Sequence, residues 1–382
     1  MDAILDDATI YQRRRTLHKM TGGFGLEDAY STTLDRIREQ RGNRVRLGME
    51  ALMWISCSER PLKADELCDA LAVEVGTTDF NVDNAPSTRT FLSCTLGLLT
   101  IDQQSSTVRL VHFTLQEYLA AHPNVFITPP STMAEICLTY LNFQSICELP
   151  IRFNDIPSLP LLHYASCHWG FHAKKHVTES VKQLALRLLR RDANHISADI
   201  LLSKERLGFV DWKDRYYGAH PDLQGFTGLH CIAYMGVTEI ASAMVDMKVW
   251  DLNGRDSKGA TPLTWALEFG NPTLAKFLLG QENIDPILSD RRGLTPLSHA
   301  AMAGHQDVLE LLLQQENVNS EAMDDDGRTP LSWAAESGQE GIVKILLGRG
   351  DVNPNSSHQY GRTPLSWAVE SGHEGIVKIL LG

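Results

Sequence analysis

GRTPLSWAAESGQEGIVKILLG (residues 327–348) and GRTPLSWAVESGHEGIVKILLG (361–382) differ only at Ala335/Val369 and Gln339/His373. Aligning the chain on their opening glycines brings out three more copies, at Gly225, Gly259 and Gly293, each 34 residues from the next. The aligned starts read GFTGLHCIAYMG, GATPLTWALEFG, GLTPLSHAAMAG, GRTPLSWAAESG and GRTPLSWAVESG. A fixed period of this length is the mark of a stacked array, in which each unit is one supersecondary element. The opening glycine permits the positive φ of a tight turn. A threonine then caps a helix whose first position is proline, where the missing N–H costs nothing. Leucine and small alanines face a second helix that must approach closely, and a glycine (236, 270, 304, 338, 372) ends the first helix. A pattern such as HQDVLELLL or QEGIVKILL supplies the second helix. One such unit cannot cover its own apolar face, so neighbours must stack.

This segment resembles the ankyrin-repeat family, whose signature is G-x-T-P-L-H-x-A-A…G. The first unit has Gly228 in place of the signature proline. The signature histidine survives as His230, and Thr264, Ser298, Ser332 and Ser366 replace it elsewhere. A hydroxyl can still bond the local backbone, so the fold is expected to tolerate the change. The fifth unit lacks its trailing turn. Ile376, Ile379 and Leu380 are expected to lie uncovered, and the chain reads as a fragment or a shortened gene product.

Residues 30–125 have another texture. RLGMEALMWISCSERPL and KADELCDALAV predict two helices separated at Pro61. STRTFLSCTLGLLTID predicts a helix running into a strand, and TVRLVHFTLQEYLAA a strand followed by a helix capped near Thr114. Three helices and two strands in this order predict a winged helix. With GLEDAYSTTLDRIREQ (25–40), RPLKADEL (60–67), GLL (97–99), VRLVHFTLQEYL (108–119) and LLHYASCHWGFHA (161–173), this half is similar to the region after the nucleotide-binding core of fungal NACHT-type signalling proteins. That resemblance implies a modular switch ending in ankyrin repeats. It does not extend to nucleotide chemistry, because no G-x-x-x-x-G-K-[ST] occurs. Without that backbone cradle and its lysine a phosphate has no site. The glycines of TGGFGLED, Gly22, Gly23 and Gly25, read as a loop.

The expected architecture is mainly α: a winged-helix-like and helical N-terminal half, then an ankyrin α-solenoid. Its segments are 1–29, a winged-helix-like 30–125, a helical connector 126–224, and five repeats over 225–382, the last incomplete. The seven cysteines include no C-x-x-C pair, which reads as reduced thiols in the cytosol, with the nucleus as the alternative. No run of 18 apolar residues exists, so no membrane span is expected. Residues 225–382 hold 20 acidic against 11 basic side chains, a balance that opposes a phosphate track there.

The chemical clusters are weighed against plainer roles. His168, His172 and His176 share one helical face, with His163 and Cys167 alongside, but no general-base carboxylate stands among them as in H-E-x-x-H. A packed amphipathic helix is the expected reading, and no metal or other cofactor is assigned. The third winged-helix helix offers Arg89 as its one cation, few for a groove reader. QRRRTLHK (12–19) and RIREQRGNRVR (36–46) read as solvated or domain-facing. No G-x-S-x-G elbow or other catalytic signature occurs, so no enzyme is expected. Function is expected on the concave face of the repeats, which would bind a protein. The candidates are Trp265, His299, Trp333 and Trp367 as outward anchors, flanked by Phe269, Met302, Glu336 and Glu370. Arg255, Asp256, Arg291, Arg292, Asp324, Asp325 and Asp326 lie at the turn tips. The alternative for each tryptophan is packing against the next repeat. The other functional reading is a transcription-associated factor whose winged helix contacts DNA while the repeats recruit a cofactor.

Overall fold

A computed structural model describes residues 25–126, 128–149, 159–190, 195–198, 200–201 and 224–382. The basic stretch 12–19 and the glycines Gly22 and Gly23 lie outside the described residues.

The N-terminal unit holds α1 (Leu26–Arg38), α2 (Asn43–Cys57), α3 (Ala64–Ala72) and α4 (Thr88–Cys94), then β1 (Leu99–Ile101), β2 (Val108–Leu110) and α5 (Phe113–Ala121). The strands pair antiparallel, Leu99 opposite Leu110. The stretch before α3 joins them through Val108 N donating to Leu62 O and Ala64 N to Ser106 O. This is a winged helix, as the sequence order requires. Its caps follow local chemistry. Glu66 reaches back to the Lys63 amide at 2.8 Å and takes both terminal nitrogens of Arg60, which satisfies a buried carboxylate. The cap of α5 is His112, whose Nδ1 accepts from the Thr114 amide at 3.3 Å.

Trp54 on α2 is fully buried. It packs edge-on against Tyr164 of α8 (Pro160–Lys175), which follows α6 (Pro129–Leu141) and the short α7 (Gln144–Cys147). The Tyr164 hydroxyl accepts from the Glu59 amide at 3.2 Å and pairs with His172 Nε2 at 2.8 Å. One ring thus couples the winged helix to the helical half. The helix α9 (Glu179–Leu189) follows and packs on α6.

Five helix pairs complete the chain: α10–α11 (Gly228–Met235, Thr238–Asp246), α12–α13 (Pro262–Glu268, Pro272–Leu279), α14–α15 (Pro296–Ala303, Gln306–Leu313), α16–α17 (Pro330–Glu336, Glu340–Leu347) and α18–α19 (Pro364–Glu370, Glu374–Leu381). Four of the five begin with proline after a capping threonine; Thr295 Oγ1, for example, accepts from the Ser298 amide. Gly236, Gly304 and their counterparts have φ between 70° and 82°, a region that L side chains avoid.

The stack does not start at α10. Helices α8 and α9 pack on α10–α11. A Cβ on Gly170 would lie 2.6 Å from Met235 Cβ, and one on Gly228 3.0 Å from Leu189 Cβ. Backbone-to-side-chain approach of this kind needs glycine on both sides of the junction. Further along, the side chain just after four of the five helix-ending glycines reaches back to the preceding unit. Asn271 Nδ2 donates to Ala233 O and Tyr234 O, His305 Nε2 to Leu267 O, and His373 Nε2 to Glu336 O. Gln339 occupies the same place toward Met302 O. The Gln339/His373 difference therefore preserves one contact.

Ile376, expected to be uncovered, is fully buried because it faces the preceding repeat; Ile379 and Leu380 are half-buried. Leu331 in the interior has no exposure. Leu331→Ala should cost about 2–5 kcal/mol in chemical denaturation, and Leu380→Ala well below that. Equal losses at the two positions would contradict a stack whose last unit is covered on one side.

Candidate functional site

The inner face of the repeats is built from a recurring tip. Asp256 Oδ1 accepts the amides of Lys258 (2.8 Å) and Ala260 (2.9 Å). Asp290 Oδ1 does the same with Arg292 and Leu294, and Asp324 Oδ1 with Asp326 and Arg328. The second oxygen turns inward. Asp256 Oδ2 accepts from Trp265 Nε1 and Asp324 Oδ2 from Trp333 Nε1, each at 3.0 Å. In the middle repeat His299 Nε2 stands 3.5 Å from Asp290 Oδ2. Burial acts to raise the Asp290 carboxyl, but His299 and the Arg292 and Leu294 amides outweigh it and hold the group below its ordinary value. Successive tips join through their backbones: Arg291 N donates to Lys258 O, Asp325 N to Arg292 O and Gln359 N to Asp326 O.

This geometry corrects several expected contact residues. Trp265 is 3% exposed and His299 1%, and Asp256 and Asp324 are buried. They are not outward anchors or an acidic rim: Trp265 and Trp333 each donate to the inner oxygen of the aspartate nine residues before, and His299 is buried beside Asp290. Trp333 and Trp367 are half-buried. The Arg328 guanidinium lies between them, 3.6 Å and 4.0 Å from their ring centroids, and Arg362 lies 4.7 Å from Trp367 on its own. These are cation–π contacts along the array. Arg328 also pairs with Glu336, and Arg362 with Glu370 at 2.6 Å. Arg255 is spent on Gly259 O and Ser289 O.

What faces outward lies one turn further along the inner helices. Phe269 and Met302 are half-buried, as is Glu336, and Glu370, Arg291, Arg292, Asp325 and Asp326 are exposed. Phe269 closes an aromatic group with Trp265 (5.0 Å) and Tyr234 (4.9 Å). Glu268 was missed by sequence reasoning. It is exposed and occupies the same repeat position as Met302, Glu336 and Glu370. Ala260 stands where Arg328 and Arg362 stand in the last two repeats, so no arginine from that position neutralises it. The 34-residue alignment held this signal.

The histidine group is a packing element. Helix α8 ends at Lys175, so His176 leaves the face shared by His168 and His172. His172 is buried beside Trp54, and burial lowers its pKa to about 4. Among the described residues no group of three His, Cys, Asp or Glu side chains is disposed to hold a metal ion. On α4 the buried residues are Phe91 and Cys94, and Arg89 is the exposed cation.

A helix-pair array with a stapled inner column defines a repeat protein of the solenoid class. A profile described as "Ankyrin repeats (3 copies)" matches residues 162–290 and 282–357, and one described as "Ankyrin repeat" matches 360–382. The chain belongs to the ankyrin-repeat proteins. Residues 37–125 match the "GPI inositol-deacylase, winged helix domain". No curated protein matches the chain. The ankyrin match begins at 162, within the α8 residues that stack on the first 34-residue unit.

The fifth tip departs from the rule. His358 Nδ1 replaces the carboxylate, accepting from the Tyr360 and Arg362 amides at 3.3 and 3.1 Å. Its ring meets Trp367 edge-on, and the buried Trp367 Nε1 has no hydrogen-bond partner. His358→Asp should restore that acceptor and stabilise the last repeat by about 1 kcal/mol. Hydrogen exchange in α18 checks it: faster exchange in the variant would show that the tip does not work this way.

Proposed function

We propose that this chain is a non-catalytic interaction protein that holds a protein partner against the inner face of its ankyrin array. The observation that carries the reading is the outward column Glu268, Met302, Glu336 and Glu370, with Phe269 beside its first member. Fold demands account for the tryptophans and tip aspartates, but not for this column. Phe269 and Met302 offer apolar contact, and Glu268 offers an exposed carboxylate without the arginine that its counterparts face. A partner segment with a basic residue next to an apolar one fits that arrangement, the charge setting register and the ring supplying contact. Asp325 and Asp326 at the tips favour the same sign of partner.

The winged helix serves in this reading as a packing module that orients the array through Trp54 and Tyr164. The resemblance of residues 20–180 to NACHT-type proteins supports a place within, or as a regulator of, such a fungal signalling switch in the cytosol. Among the described residues no helix is long and apolar enough to cross a membrane. The DNA-contacting alternative draws less support, since the exposed side of α4 offers a single cation.

Affinity capture with the full chain as bait tests the proposal. Glu268→Lys and Phe269→Ala should each weaken retention of the captured protein, by on the order of 2 kcal/mol for the stronger of the two. Melting of Glu268→Lys should stay near that of the parent, whereas Phe269→Ala also loses ring contact with Trp265 and Tyr234, so its capture is compared at equal folded fraction. Unchanged capture by both would place the partner elsewhere.

A further inference from the structure

The tips carry a charge pattern that the fold does not require. In the second to fifth units the residue that closes the tip is followed by Ser257–Lys258, Arg291–Arg292, Asp325–Asp326 and Gln359–Tyr360. The backbone around these pairs repeats: Arg291, Asp325 and Gln359 each donate an amide to the tip before. Neutral, cationic and anionic pairs thus sit on one hydrogen-bond pattern, and the turn itself sets no sign. Apart from half-buried Ser257, these side chains are exposed.

The second and third tips gather cations. A Cβ on Gly259 would lie 3.0 Å from Arg255 Nη2 and 3.1 Å from Arg291 Cγ, and Arg291 N donates to Lys258 O at 2.8 Å. Arg255, Lys258 and Arg291 therefore surround one turn, with Arg292 next in the chain. Among the described residues no carboxylate forms an ion pair with the first three, and Arg292 has Asp290 at 3.5 Å. The Arg255 guanidinium is bonded to carbonyls, which leave its charge uncompensated. These are four of the 11 basic side chains in a segment with 20 acidic ones, so their grouping runs against the local charge. On the adjoining tip the sign reverses at Asp325 and Asp326, without an ion pair across the gap. We propose that the tip row binds a protein segment of divided charge. Its anionic group, carboxylate or phosphate, lies over Lys258, Arg291 and Arg292, and its basic group lies over Asp325 and Asp326. This rests on the inner-face reading and adds the order of charges in the partner. A nucleic acid fits less well, because its unbroken row of phosphates would meet the two aspartates.

Fluorescence anisotropy tests the proposal, with the full chain and a synthetic peptide of a glutamate block, a neutral spacer and a lysine block. A second peptide, with phosphoserine in place of glutamate, separates the two anion sources; saturable binding of either supports the row. Arg291→Asp with Arg292→Asp, and Asp325→Arg with Asp326→Arg, should each raise the dissociation constant roughly tenfold or more. Combining all four exchanges the two tips and should recover part of the affinity, because the peptide can turn round. Lys344→Asp with Lys378→Asp, exposed on the second helices of their units, changes net charge as the first pair does and should bind as the parent. Melting should be unchanged throughout, since each tip receives a pair that its neighbour already holds. Four results overturn the proposal: no binding of either peptide, equal loss in the lysine control, no recovery in the fourfold variant, or tighter binding of a single-stranded oligonucleotide. Weakened capture with Glu268→Lys alongside indifferent tip pairs would sink the tip row and leave the column standing.

Discussion

In the second and fourth repeats one carboxylate, Asp256 or Asp324, does two jobs, and the shape of the array there depends on both. Its outer oxygen gathers the amides two and four residues ahead and closes the tip. Its inner oxygen takes the indole N–H of the first helix and fixes how that helix leaves the tip. Removing the carboxylate would leave a buried donor and two backbone amides without partners, each more costly than the bond it makes. Because tip bonds to tip, an error in one would be passed to its neighbours. That is how a chain of short helices, each of seven to nine residues, holds one regular spacing.

The array was legible in the residues because its signals are local. Glycine at a positive φ, threonine at a cap and proline at the first helical position each act within a few residues, and the 34-residue period repeats them. The winged helix was legible for the same reason, through Pro61, the two strand runs and the helix expected to be capped near Thr114, which His112 caps instead. The fate of the tryptophans was not. Trp265 reads as a helix residue on an inner face, and only its distance from Asp256 in space shows that it points to its own tip. His299 misled in the same manner.

The beginning of the stack was hidden for a different physical reason. Gly170 does not end its helix as Gly236 does; α8 runs on to Lys175, so the usual punctuation is missing. What marks the junction is close approach, with Met235 filling the space a side chain at 170 would take. The column proposed to meet a partner was only partly legible: Phe269, Met302 and Glu336 are half-buried and Glu370 exposed, while Glu268 emerges from the repeat register combined with exposure.

The division between residues that make the tips and residues left over for a partner is the central claim, and the Asp324–Trp333 pair tests it most directly. A double-mutant cycle of Asp324→Ala and Trp333→Phe, read by denaturant unfolding, isolates the carboxylate–indole bond while retaining a ring against Arg328. A coupling energy of about 1 kcal/mol or more is predicted for a hydrogen bond to a charged group. Additive losses, with no coupling, would contradict the staple and return Trp333 to the set of residues available for binding.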